Sequence, residues 1–301
     1  MIEVVDLFAG CGGLTLGFQE AGFDVVAAFE QWDAAADCYE KNFHHAVYRV
    51  DLSDVDESVK MISELNPDLI IGGPPCQDFS FAGKRIEAGR ASLTISFAKI
   101  VSSIHPKYFL MENVDRAKNS KAYAEARKIF KEAGYGLTEI ICDASLCGTP
   151  QKRKRFFCFG ALNKEDNFAL DLFRDGFAEK PMTLRDYFGD SLGFEYYYRH
   201  PRSYKRRGIF SIDEPAPTMR GVNRPIPKGY PGHPNDPSPV TDSLRALTTE
   251  ERAWIQTFPK SFEWKGSKTD VEQMIGNAVP VELARFVANK VKTVMEEDIN
   301  D

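Results

Sequence analysis

Short apolar runs recur along the first half of the chain, and segments with helical spacing of apolar positions separate them. We predict strands at residues 2–8, 24–29, 47–52, 68–72, 107–111 and 137–142, and helices at residues 14–21, 33–43, 55–65, 92–104 and 122–133. Nearly continuous apolar strands with intervening helices are typical of a parallel sheet that is covered on both faces. The pattern therefore predicts a doubly wound α/β fold, in which the carboxyl ends of the strands share one edge of the sheet.

The pattern changes after about residue 163. Up to residue 242, apolar periodicity is weak, and proline, glycine, tyrosine and arginine are frequent. Such a stretch cannot form a buried parallel strand or a long helix, so we predict a loop-rich second domain. Disorder is the alternative, but aromatic residues such as Phe194, Tyr197 and Phe210 provide apolar anchors. Helical spacing returns at residues 247–256 and 281–295.

The composition argues against several classes of protein. No run of about 18 apolar residues is present, so we predict no membrane span. The chain begins directly with a strand rather than with the basic and apolar order of a signal peptide. Its six cysteines lie singly, without a paired cysteine or a histidine at ligand spacing. This argues against a metal site and a disulfide framework, and it fits a protein that resides in a reducing cytoplasm.

Positive charge is concentrated in part of an otherwise acidic chain. The net charge is −6, which counts mildly against a nucleic-acid-binding protein. Residues 199–228, however, contain eight basic and two acidic residues, a local charge of +6. Residues 152–155 form a second basic cluster. A solvated loop is the alternative for each cluster, and contact with nucleic acid is the functional interpretation.

Polar and glycine residues follow the first three predicted strands. The first strand leads into a glycine turn at residues 9–13, which opens a helix. Glycines let a ligand approach the backbone, and a helix N-terminus offers free amides. Glu30 follows the second strand and Asp51 the third, where a carboxylate can accept hydrogen bonds from ribose hydroxyls. These features alone fit any nucleotide cofactor, including nicotinamide and flavin.

The fourth and fifth strands bring reactive groups to the same edge. The fourth strand is followed by Gly-Gly-Pro-Pro-Cys, and the prolines end the ladder and present Cys76 there. A lone cysteine is often a small core residue, but a rigid turn at a ligand-binding edge favours a nucleophile. Glu112 follows the fifth strand, and its alternative role is to cap the next helix.

Five motifs, in order, resemble those of DNA cytosine-5 methyltransferases of the bacterial restriction-modification type. They are DLFAGCGGL at 6–14, PPCQ at 74–77, ENV at 112–114, QKRKR at 151–155 and QMIGNAVP at 273–280. Residues 245–259 resemble the motif that organises the target-recognition domain. The resemblance implies a Rossmann-like S-adenosylmethionine methyltransferase domain, which we expect at residues 1–177 and 272–301. It also implies a smaller, loop-rich target-recognition domain, which we expect at residues 178–271.

The resemblance implies that S-adenosylmethionine is the cofactor and that the enzyme methylates cytosine in duplex DNA. Cys76 would be the nucleophile and Glu112 would hold the cytosine, while Arg153 and Arg155 would support the flipped base and its phosphate. The implied cofactor-binding residues are Phe8, Ala9, Gly10, Gly12, Gly13, Leu14, Glu30, Gln31, Trp32, Asp51, Leu52, Pro74, Asn277 and Val279. Many relatives have an aromatic residue directly after the ribose-binding acid, whereas here Gln31 precedes Trp32. The residue that stacks on the adenine is therefore left open.

DNA contacts are expected in two segments. Residues 77–90 are polar, with glycine pivots, and predict a mobile loop that closes over DNA. Within the target-recognition domain, arginine and asparagine can read base edges, and the basic residues at 202–207 suit phosphates. The predicted DNA-binding residues are Gln77, Ser80, Lys84, Arg85, Arg202, Lys205, Arg206, Arg207, Arg220, Asn223 and Arg224.

Three alternative functions remain at this stage. A transfer-RNA cytosine-5 methyltransferase has the same motifs, but the extended basic segment favours DNA. A DNA-binding protein with a decayed site conflicts with the intact Cys76 and Glu112, and a nicotinamide-dependent dehydrogenase leaves the Pro-Pro-Cys turn unexplained. We expect a monomeric, bacterial, cytoplasmic protein associated with the nucleoid. The sequence leaves open whether a cognate restriction endonuclease exists in the same system, and such an enzyme would not contact this protein directly.

Overall fold

The computed structural model describes residues 2–75, 92–201, 203 and 205–300. The predicted site residues Cys76, Gln77, Ser80, Lys84, Arg85 and Arg202 lie outside the described residues. The strands are β1 (Glu3–Leu7), β2 (Asp24–Phe29), β3 (Ala46–Tyr48), β4 (Leu69–Gly72), β5 (Tyr108–Val114), β6 (Tyr135–Asp143), β7 (Gln151–Lys152), β8 (Lys154–Leu162), β9 (Tyr196–Tyr198), β10 (Ile209–Ser211) and β11 (Ala216–Pro217). The helices are α1 (Gly13–Glu20), α2 (Asp33–Asn42), α3 (Val55–Ser63), α4 (Leu93–Ile104), α5 (Lys121–Glu132), α6 (Leu170–Arg174), α7 (Leu184–Phe188), α8 (Thr249–Ile255), α9 (Lys268–Asn277) and α10 (Val281–Asn300). Short 3-10 helices cover Asp115–Asn119 and Ala144–Leu146.

The central sheet has seven strands in the order β3-β2-β1-β4-β5-β8-β6. Its neighbours from β3 to β5 are parallel, as predicted for a doubly wound fold. Strand β8, which the sequence analysis did not predict, runs antiparallel to both β5 and β6, so the sheet is mostly but not entirely parallel. Because β8 is reversed, its first residues lie at the edge where the parallel strands end. Arg155, near the start of β8, is paired with Val114 at the end of β5.

Helices cover both faces of the sheet. Successive strand residues point to opposite faces, so Val4 and Val5 belong to different apolar clusters. The cluster around Val4 includes side chains of α1 and α10, and the cluster around Val5 includes side chains of α4 and α5. Helix α10 packs closely on α1, because a Cβ atom added at Gly17 would lie 2.4 Å from the Cβ of Ala284. The end of the chain thus completes the layer that the first helix begins.

The loop-rich region consists of short elements and irregular segments. A two-stranded antiparallel pair joins β9 to β10, and β11 pairs with β7. An apolar cluster that includes Tyr197, Phe210 and Leu247 packs this region, in contrast to the disordered alternative. The predicted division at residues 177 and 272 stays a prediction. Phe258 and Phe262, which precede residue 272, share a cluster with Tyr39 of α2.

Among the helices of the described residues, none is both long and apolar enough to cross a membrane. Within the same residues, no group of three or more His, Cys, Asp or Glu side chains is arranged to hold a metal ion.

Candidate active site

A cavity of about 960 Å³ opens at the sheet edge where β1, β2, β4 and β5 end and β8 begins. This volume falls within the range of roughly 300–1,000 Å³ that is typical of small-molecule sites. The segment that follows α9 forms another part of the wall. All of the predicted cofactor-binding residues line the cavity except Gly12, and Glu112, Arg153 and Arg155 line it as well. The structure therefore brings together the described residues that the sequence selected from distant parts of the chain.

The glycine turn brings the backbone of the first strand close to the C-terminal segment. Gly12 has a φ of 94°, and a Cβ atom there would lie 2.3 Å from a ring carbon of Phe43. A side chain is thus excluded at Gly12 although the residue does not line the cavity. A Cβ atom at Gly13 would lie 2.4 Å from the carbonyl oxygen of Val279. The absence of a side chain at Gly13 allows the segment around Val279 to close one side of the cavity.

Glu30 is held by two backbone amides. Its Oε2 accepts a hydrogen bond of 2.8 Å from the Gly10 amide, and its Oε1 accepts one of 2.7 Å from the Trp32 amide. Burial raises the pKa of Glu30, and the hydrogen bonds from these amides offset part of that shift. A carboxylate has about four acceptor positions, so both oxygens can still accept hydrogen bonds from a ribose diol. The Glu30 carboxylate is therefore a fixed hydrogen-bond acceptor next to the glycine turn.

The adjoining wall fits the rest of an adenosine-containing cofactor. Asp51 receives a hydrogen bond of 3.0 Å on Oδ1 from the Ser53 amide, which orients this second carboxylate. Trp32 is half-buried at the start of α2, whereas Gln31 is exposed, and both line the cavity. The carboxylates, the glycine turn and the indole ring together fit S-adenosylmethionine.

Glu112 lies buried beside Arg155 in the cavity. The Arg155 Nε is 2.8 Å from Glu112 Oε1. Burial raises the pKa of Glu112, while the nearby guanidinium groups of Arg155 and Arg153 offset part of the shift. A Cβ atom at Gly73 would lie 2.9 Å from Glu112 Oε2, so this glycine leaves room for the carboxyl group. Among the described residues, no side chain caps the 3-10 helix that starts at Asp115, so the alternative capping role of Glu112 is without support.

The turn that leads to Cys76 is fixed beside Glu112. Asn113 Nδ2 donates a hydrogen bond of 3.0 Å to the carbonyl oxygen of Pro74, and Pro74 is buried. Pro75 is exposed and lines the cavity. Cys76 itself lies outside the described residues, but the two residues before it lie at the cavity wall.

The two predicted catalytic arginines have different surroundings. Arg155 is paired with Glu112, whereas the Arg153 guanidinium contacts backbone carbonyls. Arg153 is only 1% exposed, and it donates hydrogen bonds of 3.0 Å to Met219, 2.8 Å to Gly276 and 2.9 Å to Ala278. Burial lowers the pKa of Arg153 well below its usual value. Arg153 thus connects the start of β8 to the loop at residue 219 and to the segment after α9.

A buried polar network behind the cavity was missed by the sequence reasoning. Gln151 donates a hydrogen bond of 2.7 Å to Gln256 and accepts one of 2.8 Å from the Met219 amide. Arg252 and Glu272 form a buried ion pair that joins α8 to α9. Gln151 belongs to a recognised motif, but no local pattern identifies its partners, which are far away in the sequence.

The predicted DNA-contacting residues fall into two groups. Arg220 and Asn223 donate hydrogen bonds to the carbonyl oxygens of His200 and Leu247, respectively. Arg207 is paired with Glu214 and lies over the ring of Phe210. The exposed members among the described residues are Lys205, Arg206 and Arg224. The roles of all these residues as DNA contacts stay predictions.

Comparisons with known proteins agree with this site. A family model described as C-5 cytosine-specific DNA methylase matches residues 2–293. The Type II methyltransferase M.HindV of Haemophilus influenzae is 57% identical over 300 residues, which cover 99% of each chain. The Type II methyltransferase M.HgiDI of Herpetosiphon aurantiacus is 50% identical over 297 residues, which cover 98% of this chain and 96% of the relative.

A solved structure shows the same fold. The S. pombe Dnmt2 methyltransferase matches with a TM-score of 0.72 at 22% identity, over 100% of this chain and 99% of that one. The family match and the Type II relatives support DNA rather than the transfer-RNA alternative. Members of the family use S-adenosylmethionine as methyl donor. The chain therefore belongs to the C-5 cytosine-specific DNA methylase family, and its activity is that of a DNA cytosine-5 methyltransferase.

Proposed function

We propose that the enzyme methylates carbon 5 of a cytosine that is flipped out of a specific duplex sequence, through a covalent bond between Cys76 and carbon 6. The observation that supports this proposal most directly is the hydrogen bond from the Asn113 side chain to the carbonyl oxygen of Pro74. It holds the turn that precedes Cys76 against β5, next to the buried Glu112. A nucleophile directly after this turn would therefore lie close to the edge of the cofactor cavity.

The cofactor-binding residues are assigned from the same cavity. Glu30 and Asp51 would hold the ribose hydroxyls, the glycine turn would hold the methionine part, and Val279 would close the site. When bound, S-adenosylmethionine supplies an electrophilic methyl group. The chain orients the cofactor, because hydrogen bonds from backbone amides fix the carboxylates of Glu30 and Asp51 before any ligand enters.

Cys76 and Glu112 would act on the cytosine from the same edge. Carbon 5 of the aromatic ring is a poor nucleophile, and addition of a thiolate at carbon 6 makes it enamine-like. After methyl transfer, removal of the proton from carbon 5 expels the thiolate from carbon 6 and restores the aromatic ring. A thiol with a pKa of about 8.5 is mostly protonated at neutral pH, so nearby positive charge would favour the thiolate. Arg155 would supply that charge, and Glu112 would bind the exocyclic amino group and protonate ring nitrogen 3. Burial favours that role, because it raises the pKa of Glu112.

Arg153 would act indirectly on the same chemistry. Its hydrogen bonds hold residues 219, 276 and 278, which all line the cavity. Loss of these bonds would displace the wall on which the cofactor and the flipped base rest. We therefore propose that Arg153 positions the site, whereas Arg155 faces the reacting groups.

The substrate base must leave the duplex stack, as in other enzymes that act on bases. Gln77, Ser80, Lys84 and Arg85 are proposed to contact the opened duplex, and residues 178–271 are proposed to recognise the sequence. Within the second region, Arg202, Lys205 and Arg206 suit phosphate contacts, and Arg224 suits the reading of a base edge. The exposure of Lys205, Arg206 and Arg224 supports these assignments.

The proposed setting follows from the same relatives and chemistry. Flipping one base requires one subunit, so we propose a monomer in the bacterial cytoplasm that acts on nucleoid DNA. The Type II methyltransferase relatives support membership of a restriction-modification system with a cognate endonuclease. Sedimentation with and without a bound duplex tests the monomer, since a dimer in either condition would contradict it.

A labelled-methyl assay tests the proposed reaction. The protein is incubated with S-adenosylmethionine and a library of duplexes, with transfer RNA as a parallel substrate, and the product nucleosides are identified by mass spectrometry. We expect 5-methylcytosine at one position of one short sequence in the duplexes. Label on the exocyclic nitrogen of cytosine, on adenine, or on transfer RNA alone would contradict the proposal.

A further inference from the structure

An unpartnered carboxylate oxygen is buried at the wall of the cofactor cavity. Asp6 lies in the apolar strand β1 and is 1% exposed, yet it contributes to the cavity lining. Its Oδ2 accepts a hydrogen bond of 2.6 Å from Thr15 Oγ1, whereas its Oδ1 is buried and has no hydrogen-bond partner among the described residues. A buried acceptor without a partner is unfavourable, because it has lost its hydrogen bonds to water and gained none in return. Nothing in the fold of β1 requires a carboxyl group at this position, so a role toward the cavity is the better explanation.

A chain of hydroxyl groups connects Asp6 to the outside. Thr15 Oγ1 lies 2.9 Å from the hydroxyl of Tyr39, and that hydroxyl lies 2.6 Å from His45 Nε2. Thr15 and Tyr39 are buried, and His45 is half-buried. The carboxyl group at the cavity can therefore exchange a proton with a side chain that reaches the surface.

We propose that Asp6 makes the cofactor site selective for charge, so that its carboxylate favours S-adenosylmethionine over the product S-adenosylhomocysteine. This inference rests on the cavity being the cofactor site. Methyl transfer converts a positively charged sulfonium into a neutral thioether, while the adenosine and amino-acid parts stay the same. Contacts with the ribose and the adenine cannot distinguish the two molecules. A fixed negative charge can distinguish them, because it attracts the sulfonium of the cofactor and not the neutral thioether of the product. Charges separated by several ångströms interact appreciably inside a protein.

The groups packed around Asp6 determine when it carries that charge. Burial raises the pKa of Asp6 to about 7, and the hydrogen bond from Thr15 of α1 opposes this shift. The negative charges of Glu30 after β2 and Glu112 of β5 contribute smaller parts of this rise in the pKa. Tyr39 of α2 is the next group in the hydroxyl chain. Asp6 is therefore mostly ionised above about pH 7 and mostly neutral below it. The preference for the charged cofactor should rise with pH across this range.

Calorimetry on the full-length protein tests the inference. The dissociation constants of S-adenosylmethionine and S-adenosylhomocysteine are measured at about pH 6 and about pH 8.5, for the wild type and for Asp6→Asn. In the wild type, the product-to-cofactor ratio of dissociation constants should rise on the order of tenfold over this range. In Asp6→Asn the ratio should stay at the low-pH value. Asp68→Asn removes a carboxylate before β4, at the opposite edge of the sheet, and should leave the ratio as in the wild type.

Thr15→Val provides a second test that retains the carboxyl group. Loss of the hydrogen bond from Thr15 should raise the pKa of Asp6 further and move the rise of the ratio to higher pH. A ratio that does not depend on Asp6, or two affinities that fall equally in Asp6→Asn, would overturn the inference and indicate a structural carboxyl group. Failure of the wild type to bind either molecule would instead contradict the assignment of the cavity as the cofactor site.

Discussion

The cofactor edge of the sheet and the loop-rich region at residues 178–271 are stabilised by different kinds of contact. At the sheet edge, apolar strands pack between two layers of helices, and the site residues extend from the strand ends. In the loop-rich region, the elements are short, and they are held by an apolar cluster and by buried polar contacts with the rest of the chain. The ion pair of Arg252 and Glu272 and the hydrogen bonds of Gln151 are examples.

This difference fits the division of labour proposed above, with the reaction at the sheet edge and sequence recognition in the loop-rich region. The reaction needs groups held in one geometry, which a rigid sheet provides. Recognition of a sequence needs side chains on a variable surface, and loops can change without disturbing the strands. Arg153 lies where the two regions meet, because it contacts Met219 on one side and Gly276 on the other. Perturbation of one region should therefore leave the function of the other partly intact.

The largest expected effect is at the sheet edge. Glu112→Gln removes a group that can transfer a proton, but it preserves the shape of the side chain. We expect kcat to fall on the order of 10²–10⁴-fold, the usual range for loss of general acid catalysis. The dissociation constant of S-adenosylmethionine should change less than about twofold, since backbone bonds and not Glu112 orient Glu30. A kcat within about threefold of wild type would contradict the role given to Glu112.

The polar network of the second region predicts a loss of stability. Glu272→Ala leaves Arg252 buried without its partner, and breaking such a pair costs about 3–5 kcal/mol. Denaturant unfolding measures this difference in the free energy of unfolding. The matched control is the double variant Arg252→Met with Glu272→Leu, in which apolar side chains replace both charges. The control should recover most of the stability, and a single variant as stable as wild type would contradict the argument.

The smallest effects are expected at the exposed basic residues. Arg224→Ala should relax the preference at one base position by about 1–3 kcal/mol. Lys205→Ala should weaken binding to all duplexes similarly. It should also reduce the slope of the logarithm of the binding constant against the logarithm of the salt concentration by about one. Competition binding with altered duplexes distinguishes the two outcomes. Asn223→Ala is the control for internal structure, because its amide donates a hydrogen bond of 2.7 Å to Leu247. A uniform loss in Arg224→Ala would count against its role in reading a base.

The sequence predicted the sheet edge well because local periodicity and strand ends determine it. Strand β2 has the predicted bounds, and Glu30 and Glu112 reach the predicted cavity. Strand β8 was not predicted, because the basic residues at its start interrupt the apolar pattern that marks a strand. Its antiparallel direction depends on the insertion of the strand between β5 and β6, which no local pattern indicates.

The remaining contacts could not be predicted because they join residues that are distant in the chain. Gln151 and Gln256 are separated by 105 positions, and neither has a pattern that selects the other. Asp6 belongs to a recognised motif, but the sequence does not show that one of its carboxylate oxygens is buried without a partner. Burial of a polar group is decided by packing in three dimensions, and that information is absent from spacing along one strand.

Trapping of the covalent intermediate tests the central claim most directly. The protein is incubated with S-adenosylmethionine and duplexes that contain 5-fluorocytosine, with Cys76→Ser as the control. Fluorine at carbon 5 cannot leave as a proton does, so the enzyme should stay attached to DNA through Cys76. We predict a denaturation-resistant adduct with the wild type and none with Cys76→Ser. An equal adduct with Cys76→Ser, or 5-methylcytosine formation by wild type without any adduct, would contradict the account.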